Sequence, residues 1–138
     1  MKKAGSIFTF LVLIIVLNSN INAQQVKQPF LKGTEIVVPF STTVADTANW
    51  ERAGKEALLK VEQLTCSNKD YEIISFTVVL LIDNKVIEVK SPSSVWTPDI
   101  KKAIDQLYPG ATVWIEGIKA KGSDGKIQIL KNVIFKIQ

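Results

Sequence analysis

The chain has 138 residues, with 17 basic and 13 acidic side chains, no histidine and one cysteine. Without histidine there is no Ser-His-Asp or Cys-His nucleophile system, and one cysteine with scattered carboxylates makes none of the usual zinc ligand sets. The basic residues are spread out rather than gathered in a stripe with interleaved aromatics, which argues against nucleic-acid binding.

Lys2 and Lys3 precede an almost unbroken apolar run from Ile7 to Leu17, and Ile21-Asn22-Ala23 follows with a small residue at its end. This layout predicts a secretory signal peptide over residues 1–23, removed before Gln24. The apolar run is about 11 residues long, whereas a spanning helix needs roughly 20, so no integral membrane protein is expected after cleavage. No cysteine sits just after the run, so a bacterial lipoprotein is not supported. Cleavage leaves 115 residues, 15 basic and 13 acidic, for a net charge of +2. That length suits one exported domain, residues 24–138, periplasmic or secreted. Cys66 has no intramolecular partner; it reads as a small half-buried residue or as the site of an intermolecular disulfide.

Thr34 to Phe40 reads as a first strand that lies at an edge or ends at Pro39, which lacks a donor N–H. Asp46-Thr47 can cap a helix from about Ala48. Trp50, Ala53, Gly54, Ala57, Leu58 and Val61 follow helical spacing, with Glu51–Lys55 and Glu56–Lys60 as i,i+4 pairs. A strand beginning near Leu58 is the alternative. Tyr71 to Ile82 is the longest strand candidate, with Ile74, Phe76, Val78, Leu80 and Ile82 on one face. Its second half is apolar on both faces, which predicts a central or interface strand. Asp83-Asn84 is a turn, and Lys85 to Lys90 returns.

Thr97-Pro98-Asp99 is a strong helix start: an N-cap, a proline at the first helical position and an acid complementing the dipole. Ile100, Ala103, Ile104 and Leu107 make the apolar stripe, and Pro109-Gly110 ends it. Val113 and Ile115 then alternate with Thr112, Trp114 and Glu116 as a strand. Lys121 to Lys126 is a turn with Asp124-Gly125 at its tip, and Ile127 and Ile129 begin the return. Asn132 breaks the run before Val133, Phe135 and Ile137. Strands that arrive as hairpins predict a mainly β domain, an antiparallel sandwich of Greek-key type with one or two short helices.

Chemistry is sparse in this pattern. The Lys121–Lys126 turn joins two strands, so it is no phosphate loop. Asp83, Asp99, Asp105, Glu116 and Asp124 could supply a carboxylate pair, but turn, cap and face positions account for each. No cofactor or metal is expected. Trp96, ahead of a helix cap, is either a staple or a contact residue. Trp114 is opposite in facing to Val113 and Ile115, and so points at solvent or at a partner, unless both sheet faces are covered and it packs in a core.

The stretch from Leu64 onward resembles the C-terminal periplasmic domain of the gliding-motility protein GldM, a component of the type IX secretion and gliding machinery. The likeness lies in Tyr71-Glu72-Ile73-Ile74-Ser75-Phe76-Thr77-Val78, then Leu107-x-x-Gly110, then Ile118-Lys119-Ala120-Lys121-Gly122-Ser123-Asp124-Gly125, then Leu130-x-x-Val133-x-Phe135-x-Ile137. It covers residues 64–138; residues 24–63 carry none of it. The resemblance implies an immunoglobulin-like fold and a role in protein contact rather than catalysis, with envelope secretion or gliding components as partners. A transmembrane helix and several periplasmic domains, which belong to the full-length family member, are not expected here.

The reading that results is a small exported, non-enzymatic interaction module, with Trp96, Trp114, Glu116, Lys119 and Lys121 as candidate contacts. Self-association through Phe76–Ile82 is a further expectation. A secreted inhibitor or a carboxylate-dependent hydrolase is the alternative.

Overall fold

A computed structural model describes residues 30–40 and 49–138; the expected signal segment and the Asp46-Thr47 cap lie outside them. Among the described residues, nine strands and two short helices make a mainly β fold. The smaller sheet holds β1 (Leu31–Lys32), β2 (Glu35–Val38) and β4 (Gln63–Cys66), in that order. β2 stops just short of Pro39, as a missing donor requires. The larger sheet runs β3 (Asn49–Ala53), β9 (Val133–Ile137), β7 (Thr112–Gly122), β5 (Tyr71–Ile82), β6 (Lys85–Ser91), and β8 (Ile127–Ile129) pairs with the far end of β7. β2 with β4 and β3 with β9 are parallel pairs. Both sheets are therefore mixed, which corrects the expectation of purely antiparallel pairing.

The predicted helix over residues 48–61 is corrected too. Its first part is β3, and only Lys55–Leu59 is helical, as α1. Trp50 and Ala53 suit either period, and pairing with β9 decides for the strand, a choice made by tertiary structure over local spacing. The expected Glu51–Lys55 pair is replaced by longer-range bonds. The Glu51 carboxylate accepts the N–H groups of Phe30 at 2.8 Å and Leu31 at 3.3 Å, tying the smaller sheet to β3. The Lys55 ammonium donates to the carbonyls of Asp105 at 3.0 Å and Leu107 at 3.3 Å, satisfying the end of the second helix.

That helix, α2 (Pro98–Asp105), forms as its sequence dictates. The Thr97 hydroxyl accepts the Ile100 N–H at 3.3 Å, and proline stands in the first turn. Ile100, Ala103, Ile104 and, just beyond, Leu107 are buried as one stripe. They join a single core with Ile36, Val38 and Leu64 of the smaller sheet and Phe76, Val78, Val113, Ile115 and Phe135 of the larger. Cys66 is fully buried in this core rather than half-buried, so an intermolecular disulfide would require the core to open.

One line of irregularity crosses the larger sheet. In β5 the register slips around Ser75, so Ile73, not the expected Ile74, joins Phe76 in the core. In β7 Gly117 sits at φ +61°, and the buried positions change from Val113 and Ile115 to Ile118 and Ala120. Lys131 and Asn132 interrupt the return strand between β8 and β9, where burial changes from Leu130 to Val133. Extra residues on neighbouring strands compensate one another, so pairing resumes in its earlier register beyond them. At the end of β7 the Tyr71 ring lies so close to Gly122 that a Cβ there would stand 2.9 Å from Cε2. Glycine is thus needed at the head of the Gly122–Gly125 turn for close approach, and Gly125 follows at φ +88°.

Candidate protein-docking face

The larger sheet buries one face in the core and turns the other outward. Across the outward face the register sets one row in line: Trp50 beside Ile134, Ile134 beside Trp114, Trp114 beside Val79, Val79 beside Glu88. Leu81 beside Val86 follows on the β5–β6 side, 47% and 66% exposed. Val79, Leu80, Leu81, Val86, Trp114 and Glu116 line an open concavity of about 380 Å³. The loop from Tyr108 to Ala111 borders a second hollow that shares Leu81 and Trp114. Charged residues rim the patch: Glu88 and Lys90 on β6, Glu116 on β7, and Lys136, whose ammonium lies 5.5 Å from the centre of the Trp50 ring. Trp50 is itself 45% exposed.

The expected contact residues divide. Trp114 and Glu116 face outward and are half-buried, while Lys119 and Lys121 are exposed. Strict alternation along β7 would set the two lysines on the opposite face from Trp114. The bulge at Gly117 reverses the alternation and brings all four to one side. Lys119 and Lys121 stand beside Ile129 and Ile127, which are exposed, and form a second outward cluster beyond the bulge.

Trp96 is a correction. It is 2% exposed and stacks on Phe76 at 6.1 Å between ring centres. Its indole N–H donates to the Leu58 carbonyl at 3.0 Å, locking α1 to the start of α2. A buried tryptophan with its donor satisfied is a core residue, so Trp96 offers no contact surface. Phe76–Ile82, the stretch expected to be a central or an interface strand, is central. β5 is paired on both edges, and its side chains Thr77, Val79 and Leu81 are the ones turned to the outward face.

Trp50, Val86 and Ile134 were not among the expected contacts, and Val79 and Leu81 were expected only within the self-associating strand Phe76–Ile82. The signal for two of them was present in the doubly apolar second half of β5; the others join the patch only through register. The carboxylates lie in separate local roles. Asp83 occupies the β5–β6 turn at φ 52°, Asp99 the first turn of α2, and the Asp124 carboxylate accepts the Lys126 N–H at 3.0 Å. No helix among the described residues is long and apolar enough to cross a membrane. The chain matches no protein-family model, and no curated protein matches it.

Proposed function

We propose that this chain is a small exported, non-enzymatic module that binds a protein partner in the periplasm or at the cell surface through the outward face of its larger sheet. The observation that carries this reading is the outward row of Trp50, Ile134, Trp114 and Val79, extended by Leu81 and Val86. Rigid aromatic and aliphatic surface at the centre, with charges at the rim, is the anatomy of a protein–protein interface. The partner is accordingly a folded protein presenting an apolar surface bordered by charge.

The resemblance of residues 64–138 to the C-terminal domain of GldM supplies the class of partner: an envelope component of a secretion or gliding machine. The layout of Lys2, Lys3 and the apolar run to Leu17 supports export. On the same reading, the smaller sheet and the inward face of the larger one form the two layers of an immunoglobulin-like sandwich. A core shared by Ile36, Val38, Phe76 and Phe135 supports that arrangement.

The test is capture from envelope extract by the wild-type protein and by a Leu81→Ser/Val86→Ser variant, with thermal midpoints measured alongside. Both side chains are exposed, so the midpoint should move by no more than about 4 °C. The expected result is recovery of secretion or gliding components by the wild type and their loss with the variant. Recovery undiminished by the variant, or recovery of an unrelated enzyme, would refute the reading.

A further inference from the structure

Among the described residues β6 is a free edge of the larger sheet. Its turn, Asp83-Asn84, has both residues in left-handed conformations and closes on the pair Ile82–Lys85. In a two-residue hairpin that pair exchanges backbone hydrogen bonds, and the exchange then alternates along the strands. Lys85, Ile87, Val89 and Ser91 therefore turn their amides to β5. Val86, Glu88 and Lys90 turn theirs to the open edge, and their side chains are exposed on the outward face.

Charges on an edge strand commonly keep other strands away. Here the two that stand on the outward face are opposite in sign and two residues apart, with Val89 between them. Such an edge is complementary to itself. We propose that β6 pairs with β6 of a second copy of this chain, antiparallel, about a two-fold axis at Val89. Glu88 of each copy then stands directly opposite Lys90 of the other, and each such pair exchanges its backbone N–H···O bonds. Val89 meets Val89, and Ile87 meets Ser91.

Neighbouring registers are poorer. Side chains keep their faces only if the strand slips in steps of two in the pairing sum. One such slip sets Glu88 opposite Glu88. The other sets Lys90 opposite Lys90 and Glu88 against Pro92. Pro92, exposed just after the strand, has no N–H to extend the ladder, which confines pairing to β6 itself. The pairing depends on a backbone edge and a charge pattern, whether or not the outward face binds a partner.

Sedimentation equilibrium on the protein purified from its cells tests it, with charge reversal as the probe. The wild type is expected to be a reversible dimer. Lys90→Glu and Glu88→Lys should each raise the dissociation constant by about tenfold or more, because like charges then face each other at two places. The double variant Glu88→Lys/Lys90→Glu should return it to the wild-type value. Val89→Cys should cross-link copies under oxidising conditions, since a directly opposed pair that shares no backbone bonds lies within disulfide reach. A wild type that stays monomeric up to about 1 mM overturns the proposal. So does a dimer indifferent to either single reversal, or one that the double variant does not restore.

Discussion

Gly117 offers the sharpest test of how the outward face is assembled. Its φ of +61° lies in the left-handed region, and a Cβ built on it would meet no atom within 4 Å. The cost of substitution is therefore conformational rather than steric. An L-residue held there loses about 1–2 kcal/mol, against which alanine regains about 0.4–1 kcal/mol by restricting the unfolded chain. Gly117→Ala should thus destabilise by at most about 1.6 kcal/mol, net. Gly117→Val, β-branched, should cost about 2–3 kcal/mol. Asparagine visits the left-handed region readily, so Gly117→Asn should stay within about 0.5 kcal/mol of wild type. The chain cannot escape by straightening, because that would expose Ile118 and Ala120 and drive Lys119 and Lys121 into the core. Urea denaturation with unchanged slope gives the ranking directly. If valine and asparagine proved equally tolerated, the left-handed bulge would be the wrong account of why Lys119 and Lys121 share a face with Trp114.

Three further outcomes are expected. Trp96→Ala should cost about 3–5 kcal/mol by emptying a core site, whereas Trp114→Ala on the sheet surface should cost only about 1 kcal/mol; equal losses in denaturant midpoint would contradict their assignment to opposite faces. Thr97→Ala should lower stability by about 1 kcal/mol through loss of the α2 cap, and an unmoved midpoint would show that the hydroxyl bond to Ile100 carries nothing. The Cys66 thiol, buried in the core, should resist a thiol reagent in native buffer and react at once in denaturant; prompt labelling of the native protein would place it at the surface.

What could be read ahead of the structure was what depends on neighbours in sequence. Thr97, Pro98, Asp99 and the stripe through Ile104 define α2 within one short window, and α2 forms there. Asp83-Asn84 and Lys121–Lys126 are turns by their own chemistry. β3 was misread because Trp50, Ala53, Ala57 and Leu58 satisfy helical spacing, while the strand that captures Trp50, β9, lies at the other end of the chain. β4 escaped because Gln63, Leu64, Thr65 and Cys66 are too few to show a period, and parallel pairing with β2 is what orders them. Counting alternate residues failed wherever the sheet is irregular: it selected Ile74 in place of Ile73. It also gave no ground for grouping Lys119 with Trp114 except through Gly117. Trp96 and Trp114 carry the same side chain in similar local contexts. Only the packing of Phe76 and the Leu58 carbonyl separates a core residue from a surface one.

The three tryptophan indole N–H groups make the most direct probe of the docking face. A ¹⁵N-labelled sample would be titrated with the partner that the proposed capture from envelope extract recovers, and the three resonances followed individually. Binding at the outward face should shift or broaden Trp114, with Trp50 at the other end of the row affected less. The Trp96 signal, held inside by the Leu58 carbonyl, should stay in place. A partner that binds while the Trp114 resonance does not move would contradict the account and place the interface elsewhere.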